Sequence, residues 1–249
     1  MANTYSTFDV GTYTVFWGLS MFFKPFSSLK YELSFLTSNK HNEKYSILTV
    51  CLLLNLLLSP IGFIIELFDY NISGLILFFS FFLIGLKNIL STYFNTFNIN
   101  KLGLYFLIDN LFFLIGILFF NEINLTILRT ASLALSSFIF IFDSHIQFKF
   151  DLSVLKRYIH YPKFSAPSNV LVVFQRETIP VILEFFLSTE IIGLFGVYDK
   201  LVRAPIRFIT QITKNIIFKN ISDKKDPFQL IDSLKKFNLV ATISYIILV

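Results

Sequence analysis

The chain has 249 residues, 55% of them hydrophobic and 15% charged, with a formal net charge of +5 and a mean hydropathy of +0.68. Soluble domains carry roughly 25% charged residues, so an ordinary globular domain is excluded and the composition belongs in a bilayer. The lone Cys51 excludes an internal disulfide and reads as a small packing residue in an apolar run.

Taken in chain order, runs near 20 apolar residues predict seven spans: 11–36, 45–67, 73–97, 102–120, 125–142, 168–187 and 191–218. An eighth run, 237–249, is long enough for only part of a crossing at about 1.5 Å per residue, so the chain is expected to stop inside a helix. The first span lacks the basic flank and small-residue cleavage site of a signal peptide and is taken as part of the mature fold. Between the fifth and sixth spans, residues 143–167 hold a predicted short amphipathic helix from Ser153 (SVLKRYIHY), then Pro162 and Pro167. That pattern suits a linker lying on the membrane surface. His41, His145 and His160 have no Cys or carboxylate at ligand spacing, so neither a metal site nor a cofactor is expected. The triplets beginning at Asn71, Asn124 and Asn220 spell glycosylation sites, as an Asn-rich chain does by chance.

Orientation follows from the Lys and Arg positions. With the first segment outside, the inner connections carry Lys40, Lys44, Lys101, Lys149, Lys156, Arg157, Lys163, Lys214, Lys219, Lys224, Lys225, Lys235 and Lys236, and the outer connections carry none. A split of 13 to 0 fixes the topology by the positive-inside rule. The net charge is thus a topology signal, and nucleic acid is not expected as a partner.

The other eight cations fall inside spans: Lys24, Lys30, Lys87, Arg129, Arg176, Lys200, Arg203 and Arg207. Those near helix ends, such as Lys30, Lys87 and Lys200, either snorkel to the interface or face the interior. On the seventh span Asp199, Arg203 and Arg207 recur every four residues and so share a face. An internal Asp199–Arg203 pair still leaves that face with surplus positive charge, which suits an anionic ligand in a bundle interior. On the sixth span Arg176 and Glu184 lie close to one face, with Glu177 beside them and Pro180 between to bend the helix. These carboxylates, with Asp109 in the fourth span, either carry a coupling ion or neutralise neighbouring cations.

A short internal repeat links the two ends of the chain. Residues 6–16 (STFDVGTYTVF) align with 188–198 (STEIIGLFGVY) at constant offset, and each copy is followed by a basic, proline-bearing segment. Both copies run from outside to inside, so two bundles that begin with equivalent hairpins would be parallel, with a substrate site between them. The expected organisation is a first bundle over 1–142, the linker over 143–167 and the start of a second bundle over 168–249.

Four segments in order, Phe8-Asp9-Val10-Gly11-Thr12-Tyr13, Leu29-Lys30-Tyr31-Glu32-Leu33, Tyr161-Pro162-Lys163-Phe164-Ser165-Ala166-Pro167 and Gly193-Leu194-Phe195-Gly196-Val197-Tyr198 with Arg203-Ala204-Pro205, resemble the polysaccharide (O-antigen) flippases of the multidrug/oligosaccharidyl-lipid/polysaccharide exporter superfamily. The resemblance implies an all-α, polytopic transmembrane bundle in two lobes with a basic central cavity. It implies movement of an undecaprenyl-diphosphate-linked oligosaccharide between leaflets of the bacterial cytoplasmic (inner) membrane, without ATP hydrolysis, and the chain has no G-x-x-x-x-G-K-[ST] motif. Lys30 stands where the family usually has Arg. The family's first helix is missing and the likeness breaks off in the ninth, so an incomplete bundle, truncated at both ends, is expected.

The expectation is therefore a multi-pass, non-enzymatic transporter for O-antigen, capsule or exopolysaccharide synthesis. Arg176, Arg203, Arg207, Arg129 and Lys30 would bind substrate, and Glu177, Glu184, Asp199 and Asp109 would couple or balance charge. Its expected partners are the lipid-linked oligosaccharide, membrane lipids and other polysaccharide-assembly membrane proteins. The alternatives are a cation-coupled multidrug exporter of the same superfamily, in which the carboxylates matter more, and a non-transporting membrane fragment.

Overall fold

A computed structural model describes residues 5–38, 41–68, 72–97, 99–120, 123–143, 148–151, 153–199 and 201–202. The chain divides into two compact units, Met1–Gly196 and Val197–Val249. The described residues of the second unit, 197–199 and 201–202, are helical. Among the described residues every regular element is a helix, so the fold is all-α.

Helix α1 spans Thr7–Phe23. It starts at a capping box: the Ser6 hydroxyl accepts from the Asp9 amide at 3.1 Å and the Asp9 carboxylate accepts from the Ser6 amide at 3.2 Å, satisfying two orphan donors. It ends before Lys24-Pro25, because Pro25 has no N–H to continue the ladder. The predicted first span, 11–36, is thus not one helix. After Phe23 the chain turns, passes Leu29 and Lys30 at φ 48° and 63°, and makes a 3-10 turn at Tyr31–Leu33 and the short α2 at Ser34–Thr37.

Helix α3 covers His41–Leu58 and α4 covers Ile61–Ile65, with the break at Ser59-Pro60. Helices α5 (Gly74–Phe97), α6 (Ile99–Phe119) and α7 (Leu125–Asp143) follow. α5 is the central post, packing on α1, α3, α4, α6 and α7. The predicted linker contributes α8 (Ser153–Arg157), shorter than predicted, and a π turn at Tyr161–Ser165. The predicted sixth span is broken rather than bent: α9 (Ala166–Glu177) stops at Thr178 and α10 (Ile179–Leu183) restarts with Pro180 in its first turn. Proline is tolerated there because the first helical amides have no intrahelical acceptor.

Polarity is distributed inside out. Asp109, Arg129, Glu32, Asn55, Asn88 and several serines are buried, while Leu57, Leu67, Leu118, Phe119 and Phe138 point outward and are exposed. A water-soluble protein rarely exposes so broad an apolar surface over a charged interior; a bilayer makes it favourable. Glu43–Phe68 and Gly74–Phe94 are each long and apolar enough to cross a membrane, with mean hydropathies of 2.4 and 1.9.

The repeat has a geometric counterpart. α1 packs against the helical residues 189–196 through bare backbone: a Cβ on Gly11 would overlap the Thr189 carbonyl oxygen, and one on Gly193 would overlap that of Thr7. In the repeat Gly11 corresponds to Gly193 and Thr7 to Thr189, so the contact is reciprocal. Gly196 lies against its own counterpart, Thr14. Val10 and Ile192, also equivalent, donate to Ser6 and Ser188 at 3.2 Å each and are buried in one apolar cluster. Equal positions meeting equal positions mean that the two helices run in the same direction about a local two-fold axis. That relation lets the backbones approach as small-residue membrane interfaces do.

Candidate functional site

Two polar networks lie inside the first unit, joined by neighbouring residues on α5. In the first, the Asp109 carboxylate on α6 takes two cations. Arg129 on α7 engages it with both arms, Nη2 to Oδ2 at 2.9 Å and Nη1 to Oδ1 at 3.3 Å, and Lys87 on α5 pairs with Oδ2. Trp17 and Phe113 flank the guanidinium, which lies 4.9 and 5.1 Å from their ring centres. Such rings stabilise a desolvated cation through their negative faces. Asp109 is 0% and Arg129 5% exposed; at that burial the fork-to-carboxylate geometry and the added Ser132 hydroxyl, 3.4 Å from Nη1, are needed to repay desolvation.

The second network surrounds Glu32, just past the end of α1. Its Oε1 accepts from Asn88 Nδ2 at 2.8 Å and pairs with Lys30 at 3.2 Å, and its Oε2 accepts from the Ser28 hydroxyl. The left-handed turn at Leu29 and Lys30 makes this possible, folding the lysine back toward a carboxylate two residues on. Lys24 stands beside this network, half-buried, with Lys30, Lys87, Glu32 and Glu177 as its charged neighbours. Among the described residues its ammonium makes no hydrogen bond and no ion pair. Lys24, Lys30, Lys87 and Arg129 against Glu32, Asp109 and Glu177 leave this interior with one surplus positive charge.

The residues singled out from sequence are dispersed. Lys30 and Asp109 lie in the two networks, and Arg129 is held by Asp109. Arg176 is exposed in the last turn of α9, and Glu177 beside it is half-buried, its carbonyl oxygen close against Gly18 of α1. Glu184 accepts from the Thr189 hydroxyl at 2.9 Å, and its other oxygen is buried with no hydrogen bond among the described residues. The helix break at Thr178 separates Arg176 and Glu184 onto different helices. Asp199 is helical in the second unit, and Arg203 and Arg207 lie outside the described residues. Sequence reasoning missed the grouping of Lys24, Lys87, Glu32 and Asn88. Lys87 does not snorkel outward but turns in to Asp109, and the adjacency of Lys87 and Asn88 was the signal that one turn of α5 serves both networks.

Buried charge within an outward-apolar helical bundle defines a membrane protein with a polar interior. Residues 123–248, just over half of the chain, match the model of the family described as polysaccharide biosynthesis protein, and the chain belongs to that family. Its role lies in polysaccharide synthesis or export. No curated protein matches the chain. No solved structure matches it either.

Proposed function

We propose that the chain moves an undecaprenyl-diphosphate-linked oligosaccharide across the bacterial cytoplasmic membrane, as a multi-pass protein working by alternating access. The carrying observation is Lys24: a half-buried ammonium at the inner end of α1, with two more lysines nearby and no bonded partner among the described residues. A cation in that setting is stabilised by an arriving anion, and a diphosphate brings enough charge and acceptor oxygens to engage Lys24 and Lys30 together. Arg176, Arg203 and Arg207 are the further substrate-binding cations expected from the sequence. Arg129 and Lys87 act through Asp109, which keeps both charges in the interior.

The glycine contact supports the same reading from the other end. By the charge rule Gly11 and Gly193 lie toward the outside, so in this reading their seam closes the outer face, and translocation requires the seam to part. Glu177, Glu184 and Asp199 balance or couple charge during that change. Catalysis of bond-making has no role in this account, and the other polysaccharide-assembly membrane proteins supply and consume the lipid-linked sugar.

Proteoliposomes holding the purified chain and a fluorescent undecaprenyl-diphosphate sugar give the test, with flipping read by an impermeant quencher. Lys24→Ala, Lys30→Ala, Arg176→Ala, Arg203→Ala and Arg207→Ala should each slow flipping about tenfold or more, equivalent to about 1.4 kcal/mol. Lys→Arg and Arg→Lys variants should retain part of it. Unaltered flipping by all five alanine variants would overturn the diphosphate-binding role.

A further inference from the structure

Residues 148–164 are fastened to the inner end of the first unit and turn a second face outward. On the inward side Val154 and Tyr158 are buried in the core cluster that also holds Tyr31, Phe35 and Ile47. The Leu155 carbonyl accepts from the Tyr31 hydroxyl at 3.1 Å, the Lys149 amide donates to the Thr49 hydroxyl at 3.2 Å, and Arg157 pairs with Glu43. These anchors decide which side chains remain outside. They are Phe148, Phe150 and Phe164, all exposed, with Lys149, Lys156 and Lys163 exposed among them. The carboxylate of the stretch, Asp151, accepts from the Ser153 amide at 2.9 Å.

Two features identify what covers this face. Phe148 also lines an apolar groove of about 300 Å³ with Leu52 and Leu56 of α3, Leu86 of α5 and Ile141 of α7, which sets this end of the segment at the edge of the hydrocarbon. Rings and cations also alternate along it, and the Lys163 ammonium lies 5.3 Å from the Phe164 ring centre. Rings at the acyl boundary with cations at phosphate depth are how interfacial segments bind, and the inner leaflet presents the complementary negative charge. We propose that residues 148–164 are a docking surface for anionic phospholipid headgroups of the inner leaflet, with Lys149, Lys156 and Lys163 engaging the phosphates and the phenylalanines seated beneath them.

The test uses the full chain carrying Phe150→Trp in phosphatidylcholine nanodiscs doped with equal fractions of brominated phosphatidylglycerol or brominated phosphatidylcholine, after subtraction of the Trp17 signal from the parent chain. The anionic lipid should quench about threefold or more strongly than the zwitterionic one. Replacing all three lysines by Gln should bring the two lipids to parity, whereas replacing all three by Arg should preserve the preference and so separates lost charge from lost folding. Three results would overturn the proposal: equal quenching by the two lipids without the Gln changes, a preference that survives the Gln triple, or no quenching by either lipid, which would turn this face to the cytosol and a protein partner.

Discussion

Toward its N-terminal end α1 meets residues 189–196 through glycines and carbonyls, whereas at its C-terminal end it stops among Lys24, Lys30, Glu32 and Lys87. The first region holds by shape: at Gly11 and Gly193 the backbones leave no room for a Cβ, and small threonine side chains fill the rest of the contact. The second holds by electrostatics, with fixed carboxylates meeting more cations than they neutralise. A contact made of backbone and small side chains separates without stranding a buried charge, while a network built round Asp109 does not. The difference therefore sorts the interior into a part able to open and a part that must stay assembled.

The largest expected effect lies in the assembled part. Asp109→Asn removes the charge that Arg129 and Lys87 share and leaves two desolvated cations facing each other. Loss of one partner from a buried pair costs about 3 to 5 kcal/mol, and thermal unfolding of the purified variant in detergent should shift down accordingly. A triple variant, Asp109→Leu with Arg129→Met and Lys87→Met, should recover much of that loss. An unchanged melting temperature for Asp109→Asn would show that the network contributes little to holding α5, α6 and α7 together.

A smaller effect on stability, with a distinct signature, is expected at the seam. Overpacking costs about 1 to 3 kcal/mol, so Gly11→Leu should weaken the fold modestly while forcing the helices apart. A cysteine at Met21, in a Cys51→Ser background, should then react faster with an impermeant thiol reagent added from outside. The converse construction uses Thr14→Cys with Gly196→Cys: a Cβ at 196 would lie 3.0 Å from that of Thr14, near the disulfide range of about 3.5 to 4.5 Å. Oxidation should abolish outside labelling at residue 21 and reduction restore it. Equal labelling of the oxidised and reduced forms would mean that this seam is a permanent packing surface.

Much of this architecture is readable from the sequence, and the limits have physical causes. The apolar runs and the basic inner loops mark the helices, because both follow from the cost of taking polar groups into hydrocarbon. The equivalence of Gly11 and Gly193 is visible as a repeat, yet nothing in a linear pattern says that equivalent residues touch. The breaks at Pro25 and Pro180 are not read as helix ends because proline is compatible with a first helical turn, and only packing decides whether it bends or ends a helix. The Lys87, Asp109 and Arg129 cluster is hidden for a different reason. Its members are 22 and 20 residues apart on three helices, far beyond the three- and four-residue spacings that reveal a shared face.

The central claim is that the inner, electrostatic end of α1 holds a diphosphate. Binding of undecaprenyl diphosphate to the purified chain in nanodiscs, compared with undecaprenol lacking the phosphates, tests it most directly. The account predicts saturable binding of the diphosphate, at least about tenfold tighter than undecaprenol, and loss of that advantage when Lys24→Gln and Lys30→Gln are combined, since tenfold is about 1.4 kcal/mol. Equal binding of the two lipids, or a diphosphate preference untouched by the double variant, would contradict it.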